Sequence, residues 1–590
     1  MRTRGFEGLQ EFSQQMYKER YFEGEEGYEE WLDRVASSYA DDDGHTERLK
    51  HYIRQYWFHP STPIASNAGL PSKGLPISCY TNEVEDSKDG IFGVWEENNW
   101  LGSYGGGIGT TWSNVRGLGE SIGESGKSSG IIPFIKVSDS TTLAVSQGGL
   151  RRASQAVYLD VEHPEILEFI DIRRPTGDAE RRSNNIHHGV TLSDGFMQAV
   201  KDRGTYNLIS PKSGKVVDTL DAFTVWKKIL VSRVETGEPY MFFKDTANRE
   251  APMEYHWNGR KINTSNLCSE IMLHTDEYTS GVCCLTSVNL EHFEEWKNDG
   301  MFLEDVHRYT DNVLQAFIDL TEGMKGFEKA RKGAIEERSI GIGVMGYHSY
   351  LQSKNLPYQS LASTYLTQTM FQHIGLGLEK SNKKLGAEKG TAELSLDNRN
   401  VNVTSIAPTA SISTLCNLAS PGIDPRVSNI YTAKTNIGSY TIKNKYLEKV
   451  LWAYLDSKKF TVDTKLNGSD FQWMEEQWKS INKHQGSVQH LEWMSDDDKD
   501  VFKTSFEINQ LAVINNVSQM QPYITQGISC NVFIKGDAQV QYLHDIHMSA
   551  WEKGLKSLYY LRSQAVTRAS VGNTDRQTIA LEADTCLGCA

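Results

Sequence analysis

The chain has 590 residues, a formal net charge of −15 and eight cysteines. That length can bury several average cores or one large barrel, and without a long basic run its acidity gives no support for nucleic-acid binding. No apolar stretch approaches the roughly 20 residues of a membrane span, and the cysteines are too sparse for a disulfide-built secreted domain, so a cytoplasmic protein with chemically used thiols is expected.

The opening segment, MRTRGFEGLQEF, has a charged start but neither an apolar core nor a small-residue cleavage site, so it does not read as a secretory signal. Mixed charges and aromatics at helical spacing predict a short helical region over residues 1–58. From 59 to 562, apolar runs alternate with helical patterns and glycine-rich turns. Strands are predicted at 155–161 (QAVYLDV), 339–346 (SIGIGVMG), 401–408 (VNVTSIAP) and 528–534 (ISCNVFI). Repeated strand–helix alternation argues for an α/β domain with parallel strands. Residues 455–510, charged and Trp-containing, read as a helical insertion, and 563–590 as a flexible polar tail. The stretch SIGESGKSSG (121–130) imitates a phosphate-binding loop, but G-x-x-x-x-G-K-[ST] needs glycine where Ser121 stands, so a plain glycine-serine loop is expected.

The segment NTSNLCSEIMLHT sets Asn266, Cys268 and Glu270 at alternate positions, which an extended backbone would place on one face. An amide, a thiol and a carboxylate together make a plausible catalytic trio, although N-x-C-x-E arises readily by chance. Further thiols lie in LPISCYTNEVEDS (Cys79) and GVCCLTSVNL (Cys283, Cys284). The last residues, EADTCLGCA, place Cys586 and Cys589 on what should be the loosest part of the chain, where a dithiol is exposed to oxidation and exchange.

In order, these segments resemble the large, catalytic subunit of ribonucleotide reductase. NLCSEI resembles that family's finger loop, and CYTNEVEDS and CCLTSVNL resemble the segments bearing its redox cysteines. GGGIGTTWSNVRGLG (105–119) and SQGGLRRASQAVYLDVEHPEI (146–166) are similar to its effector and specificity loops. RSIGIGVMG (338–346), APTASIS (407–413) and LYYLRS (558–563) follow in order.

The resemblance implies a ten-stranded α/β barrel of two five-stranded halves around a central finger loop. It implies that Cys268 becomes a thiyl radical, with Glu270 as general base, Asn266 orienting the substrate, and Cys79 with Cys283 supplying the electrons. Cys284 is the alternative to Cys283; the family pattern C-x-L-x-S favours Cys283, Leu285 and Ser287. Cys586 and Cys589 would carry electrons from thioredoxin or glutaredoxin into the barrel. Ser78 and the segment Thr409, Ala410, Ser411, Ile412 and Ser413 would contact the ribonucleotide and its phosphates. Tyr559 and Tyr560 would relay a radical from a metal-containing small subunit, which marks class I and leaves no cofactor resident in this chain. The adenosylcobalamin-dependent class, which needs no such relay, is the alternative; no RGYG glycyl-radical motif is found.

Nucleotide effectors (ATP or dNTPs) would bind at a homodimer interface through Asp86, Ser87, Arg116, Gly149, Arg151 and Arg152. Only 78 residues precede Cys79, so no ATP-cone and no dATP shut-off through one are expected. The form is compact, and if viral it would work in a host cytoplasm. A zinc protein is the remote alternative; structural zinc prefers two closely spaced cysteine pairs, and only one C-x-x-C is present, so no metal site is expected.

Overall fold

Helix α1 (Glu11–Arg20) is followed by α2 (Tyr28–Ser37), which buries Tyr28, Trp31, Leu32, Val35 and Ala36, the one-sided spacing of an amphipathic helix. Helix α3 (Asp43–Arg54) starts where the Asp42 side chain accepts the amide of His45, satisfying a donor the helix cannot pair internally. The Trp31 indole donates to Ala65 O at 3.0 Å, tying this region to the segment that enters the barrel. The computed structural model describes residues 4–70, 74–124, 126–145, 153–435, 438–458 and 468–564.

Five parallel strands follow: β1 (Cys79–Glu83), β2 (Gly107–Thr111), β3 (Ser154–Asp160), β4 (His187–Leu192) and β5 (Tyr240–Phe243). The second half begins with β6 (Gly281–Asn289), parallel to β7 (Ile340–Met345). Single parallel bridges then lead from Ile342 to Thr404 and from Ile406 to Ile528. The short strands β8 (Val532–Ile534), β9 (Ser557–Leu558) and β10 (Leu561–Ser563) complete it, with β8 and β10 parallel. Two antiparallel seams, β1 with β6 and β5 with β9, join the halves into a closed ring of ten extended segments. The ten-stranded α/β architecture predicted above is therefore the one observed.

Strand alternation gives the barrel two chemically different sides. Val157 and Leu159 of β3 and Met241 and Phe243 of β5 pack into the large shell under the helices. Ala156, Tyr158, Tyr240 and Phe242 of the same strands point inward, with Cys268, Tyr559 and Tyr560. Each fully buried aliphatic or aromatic side chain contributes about 1.5–3 kcal/mol, so the shell supplies the larger share of the stability.

Three predicted elements differ from what is observed. Residues 401–408 form two isolated bridges rather than a strand, because the Thr525 hydroxyl takes the amides of Val403 and Thr404 and interrupts the ladder. Regular pairing in 528–534 is confined to Val532–Ile534 and the bridge at Ile528, as Ser529 turns toward the finger loop. The helical insertion starts earlier than 455. Helices Lys445–Lys458, Gly468–Lys483 and Asp496–Val501, with the hairpin strands Ile430–Lys434 and Ser439–Lys443, surround a separate core of Leu447, Leu451, Met474, Trp478 and Ile481. Among the described residues, 121–130 contain a small antiparallel pair, Ser121–Ile122 with Gly126–Lys127, and no strand–loop–helix phosphate cradle.

Candidate active site

The finger loop is closed at its base by the antiparallel bridge between Ile262 and His274. Its tip, Asn266 to Glu270, is a tight turn rather than the extended stretch expected: Ser269 has φ of 65°, and Asn266 Oδ1 accepts the amides of Glu270 and Ile271 at 3.0 and 3.1 Å. The trio therefore does not lie on one face of an extended stretch. The turn, not a strand face, brings the three residues together.

Both barrel halves hold this tip. Tyr158 donates its hydroxyl to Asn266 O at 2.7 Å. From the other side, Gly527 N and the Ser405 hydroxyl donate to Glu270 O, Ser529 Oγ lies 2.6 Å from Cys268 O, and Ser557 donates to Ser269 O. On β2, a Cβ at Gly109 would sit 1.8 Å from Ser265 O, so only glycine lets the loop approach that strand. This accounts physically for one glycine of the motif at 105–119.

Asn266 and Glu270 are fully buried, and Asn266 Nδ2 and Glu270 Oε1 meet no hydrogen-bond partner among the described residues. Leaving buried polar atoms unpaired costs roughly 1–3 kcal/mol each, which a bound polyol could recover. Burial pushes the Glu270 carboxyl up to about 7, opposed by Asn266 and Ser529. A carboxyl at that value can accept or release a proton near neutral pH.

Cys79 and Cys283 are directly paired across the β1–β6 seam, and both belong to an inner cluster with Ile271, Leu273, Leu285 and Ala407. Opposed antiparallel residues have Cβ atoms about 4.5–5.5 Å apart, close enough for a disulfide after a small adjustment. Cys284, one residue on, belongs to the outer shell. Burial raises the Cys283 thiol well above its usual range, and the Gln526 amide, 3.4 Å from the sulfur, opposes this.

Tyr559 places its hydroxyl 3.1 Å from Cys268 Sγ. The Tyr559 and Tyr560 rings have centroids 4.3 Å apart, and Tyr240 packs against both at 4.8 and 5.0 Å. Arg233, wholly buried, donates to Tyr559 O at 2.9 Å and so fixes that backbone.

Ser78 is buried at the start of β1, where its carbonyl accepts the amide of Gly107. Residues 409–413 run from a loop, rather than a strand, into the short helix Ile412–Leu415. Thr409 adopts φ of 55° and its hydroxyl accepts the amide of Gly422. Asp86 and Arg116 form a two-oxygen ion pair at 2.9 Å, and Ser87 caps the helix Lys88–Ser103, so each already has a local partner. Gly149, Arg151, Arg152, Cys586 and Cys589 lie outside the described residues. Among the described residues no group of three or more His, Cys, Asp or Glu side chains could hold a metal ion.

The ribonucleotide reductase barrel-domain model matches residues 77–395 and 397–561 of this chain. The chain belongs to the ribonucleotide reductase family. It is 38% identical to the putative ribonucleoside-diphosphate reductase large subunit of Frog virus 3 over 523 residues, with 88% of each chain covered. The corresponding large subunit of Invertebrate iridescent virus 3 is 36% identical, with 89% of each covered. A solved structure, the Actinobacillus ureae class Id ribonucleotide reductase alpha subunit, superposes with a TM-score of 0.83 at 32% identity, covering 95% of this chain and 98% of that one. This reductase is thus an oxidoreductase of deoxyribonucleotide synthesis.

Several residues that hold the reductase site escaped sequence reading: Tyr158, Ser405, Gln526, Ser529 and Ser557. Tyr158 alone carried a sequence signal, an aromatic hydroxyl at an inward position between the outward Val157 and Leu159.

Proposed function

We propose that the chain is the catalytic subunit of a class I ribonucleoside-diphosphate reductase, working in the cytoplasm with a separate radical-generating small subunit. The observation that carries this reading is the junction of Tyr559 with Cys268 at 3.1 Å, inside a barrel whose tip leaves Asn266 Nδ2 and Glu270 Oε1 unpaired.

In this reading the small subunit's oxidant leaves Tyr559 as a phenoxyl radical, a hydrogen atom passes to it from the Cys268 thiol, and the resulting thiyl takes the 3′ hydrogen of the bound ribose. Glu270 accepts the 3′-hydroxyl proton while Asn266 donates to a substrate hydroxyl, and a thiol of the Cys79–Cys283 pair protonates the 2′-hydroxyl, which leaves as water. Cys79 and Cys283 then supply two electrons and become a disulfide. The hydrogen taken from C3′ is returned, regenerating the thiyl. Burial of the tip supports this chemistry by keeping water and stray reductants from a sulfur-centred radical. Cys586 and Cys589 would re-reduce the pair and be re-reduced by thioredoxin or glutaredoxin. Ser78 and residues 409–413 would hold the nucleotide, and effectors at a dimer interface near Asp86 would tune its choice.

The test is reduction of cytidine diphosphate by this chain with its small subunit and a thioredoxin system. Product is expected only with the small subunit, and none with Cys268→Ser. Product from the chain plus adenosylcobalamin alone would assign it to the cobalamin-dependent class instead.

A further inference from the structure

The outer end of the tyrosine pair is joined to a buried carboxylate through a histidine. His187, the first residue of β4, places Nδ1 3.2 Å from the Tyr560 hydroxyl and 2.6 Å from Glu238 Oε1. Its ring stacks on Tyr240 at 6.0 Å and meets Tyr560 edge-on at 5.9 Å. Glu238 follows Gly237, a left-handed helix cap, and is 1% exposed. Its other oxygen accepts the amide of His188 at 3.0 Å and faces His188 Nδ1 at 3.2 Å and Arg173 Nε at 3.5 Å. Burial opposes the charge on Glu238, but Arg173 and the two histidines outweigh it and hold the carboxyl well below its usual range.

The two tyrosines face different proton problems. The Tyr559 hydroxyl stands 3.1 Å from the Cys268 sulfur, so with Cys268 reduced to its thiol proton and electron can travel together. Tyr560 is oxidised from outside this chain: its electron crosses to a one-electron oxidant on the small subunit. A phenol that loses an electron becomes a strong acid, so its proton needs an acceptor within hydrogen-bond reach. His187 stands at that position.

We propose that His187, oriented by Glu238, takes up the phenolic proton of Tyr560 each time Tyr560 is oxidised and returns it on reduction. This rests on reading Tyr559 and Tyr560 as the radical route. In the step the Tyr560 O–H bond breaks and one electron leaves to the small-subunit oxidant. The proton passes to the hydrogen-bonded His187–Glu238 pair through Nδ1, the nitrogen that faces both the phenol and the carboxylate. The pair gains one positive charge, and the reverse step restores it.

The experiment uses the full chain with its small subunit, cytidine diphosphate and a thioredoxin system. Melting temperature and nucleotide binding are measured on every variant. Tyr560→Phe is expected to abolish turnover, with no response to imidazole. His187→Gln should fold, bind nucleotide normally and lose at least tenfold in turnover. His187→Ala should lose as much and regain severalfold on addition of imidazole, and Glu238→Gln should lose three- to tenfold. Full turnover by Tyr560→Phe would overturn the relay reading itself. Loss in Tyr560→Phe with undiminished turnover in His187→Gln would overturn the proton role alone. A folded His187→Ala that imidazole does not rescue would do the same, leaving the histidine a packing role.

Discussion

Cys283 and Cys284 are neighbours on one strand, equally buried, yet they occupy different environments. Cys283 faces an interior crossed by hydrogen bonds, opposite Cys79 and within reach of Gln526. Cys284 faces the aliphatic shell beneath the helices. The shell is where this molecule gains stability; the interior is where it keeps polar atoms unpaired, at a cost, for a substrate. Burial alone therefore does not mark a chemical residue. The side of the barrel does.

The sharpest break of that comparison is to remove each sulfur in turn. Cys283→Ser should end thioredoxin-driven turnover, more than a hundredfold below wild type, while Cys284→Ser should keep most of the rate and lose about 1–2 kcal/mol of stability. Steady-state deoxynucleotide formation and urea melts read both. Equal losses of rate in the two variants would erase the distinction between the faces.

Next in size is the interior carboxyl. Glu270→Gln should lower turnover by about 10²–10⁴. Because the base must be ionised, wild-type kcat/KM should climb as pH rises through about 7, where burial has placed this group. The sign for stability is opposite. The folded chain binds this proton more tightly than the unfolded one, so the buried carboxyl costs nothing below the usual carboxylate range, progressively more as pH rises toward about 7, and a constant amount above that. Glu270→Gln should therefore raise the melting temperature more at pH 8 than at pH 5, by the equivalent of roughly 1–3 kcal/mol.

A finer probe uses two glycines. Gly109→Ala would drive a methyl into Ser265 O and displace the finger loop, so at least a tenfold loss of turnover is expected. Gly93, in the helix Lys88–Ser103, has nothing within 4 Å of the added carbon. Gly93→Ala should leave turnover unchanged and add about 0.5–1 kcal/mol of stability. Thermal melts with activity assays separate the two.

The site was legible in the sequence only where its parts lie close together. Asn266, Cys268 and Glu270 stand out within five residues, although the backbone that unites them is a turn and not a strand. Cys268 and Tyr559 are 291 residues apart, and nothing in an adjacent tyrosine pair distinguishes a relay from packing; the resemblance to the family suggested the link that the 3.1 Å contact displays. Ser405, Ser529 and Ser557 gave no signal, because each is a single polar residue whose partner comes from a remote part of the chain. His187 and Glu238 were missed for the same reason.

Hydrophobic period and turn residues, read along the chain, were enough to set the α/β class, the N-terminal helices and the barrel strands at 155–161 and 339–346. Side-chain chemistry within one short segment was enough to name the candidate trio. Which face of each strand looks inward was decided only by closure of the ring. A strand buried on both sides is apolar on both, so alternation carries no sign until two antiparallel seams give the sheet an inside.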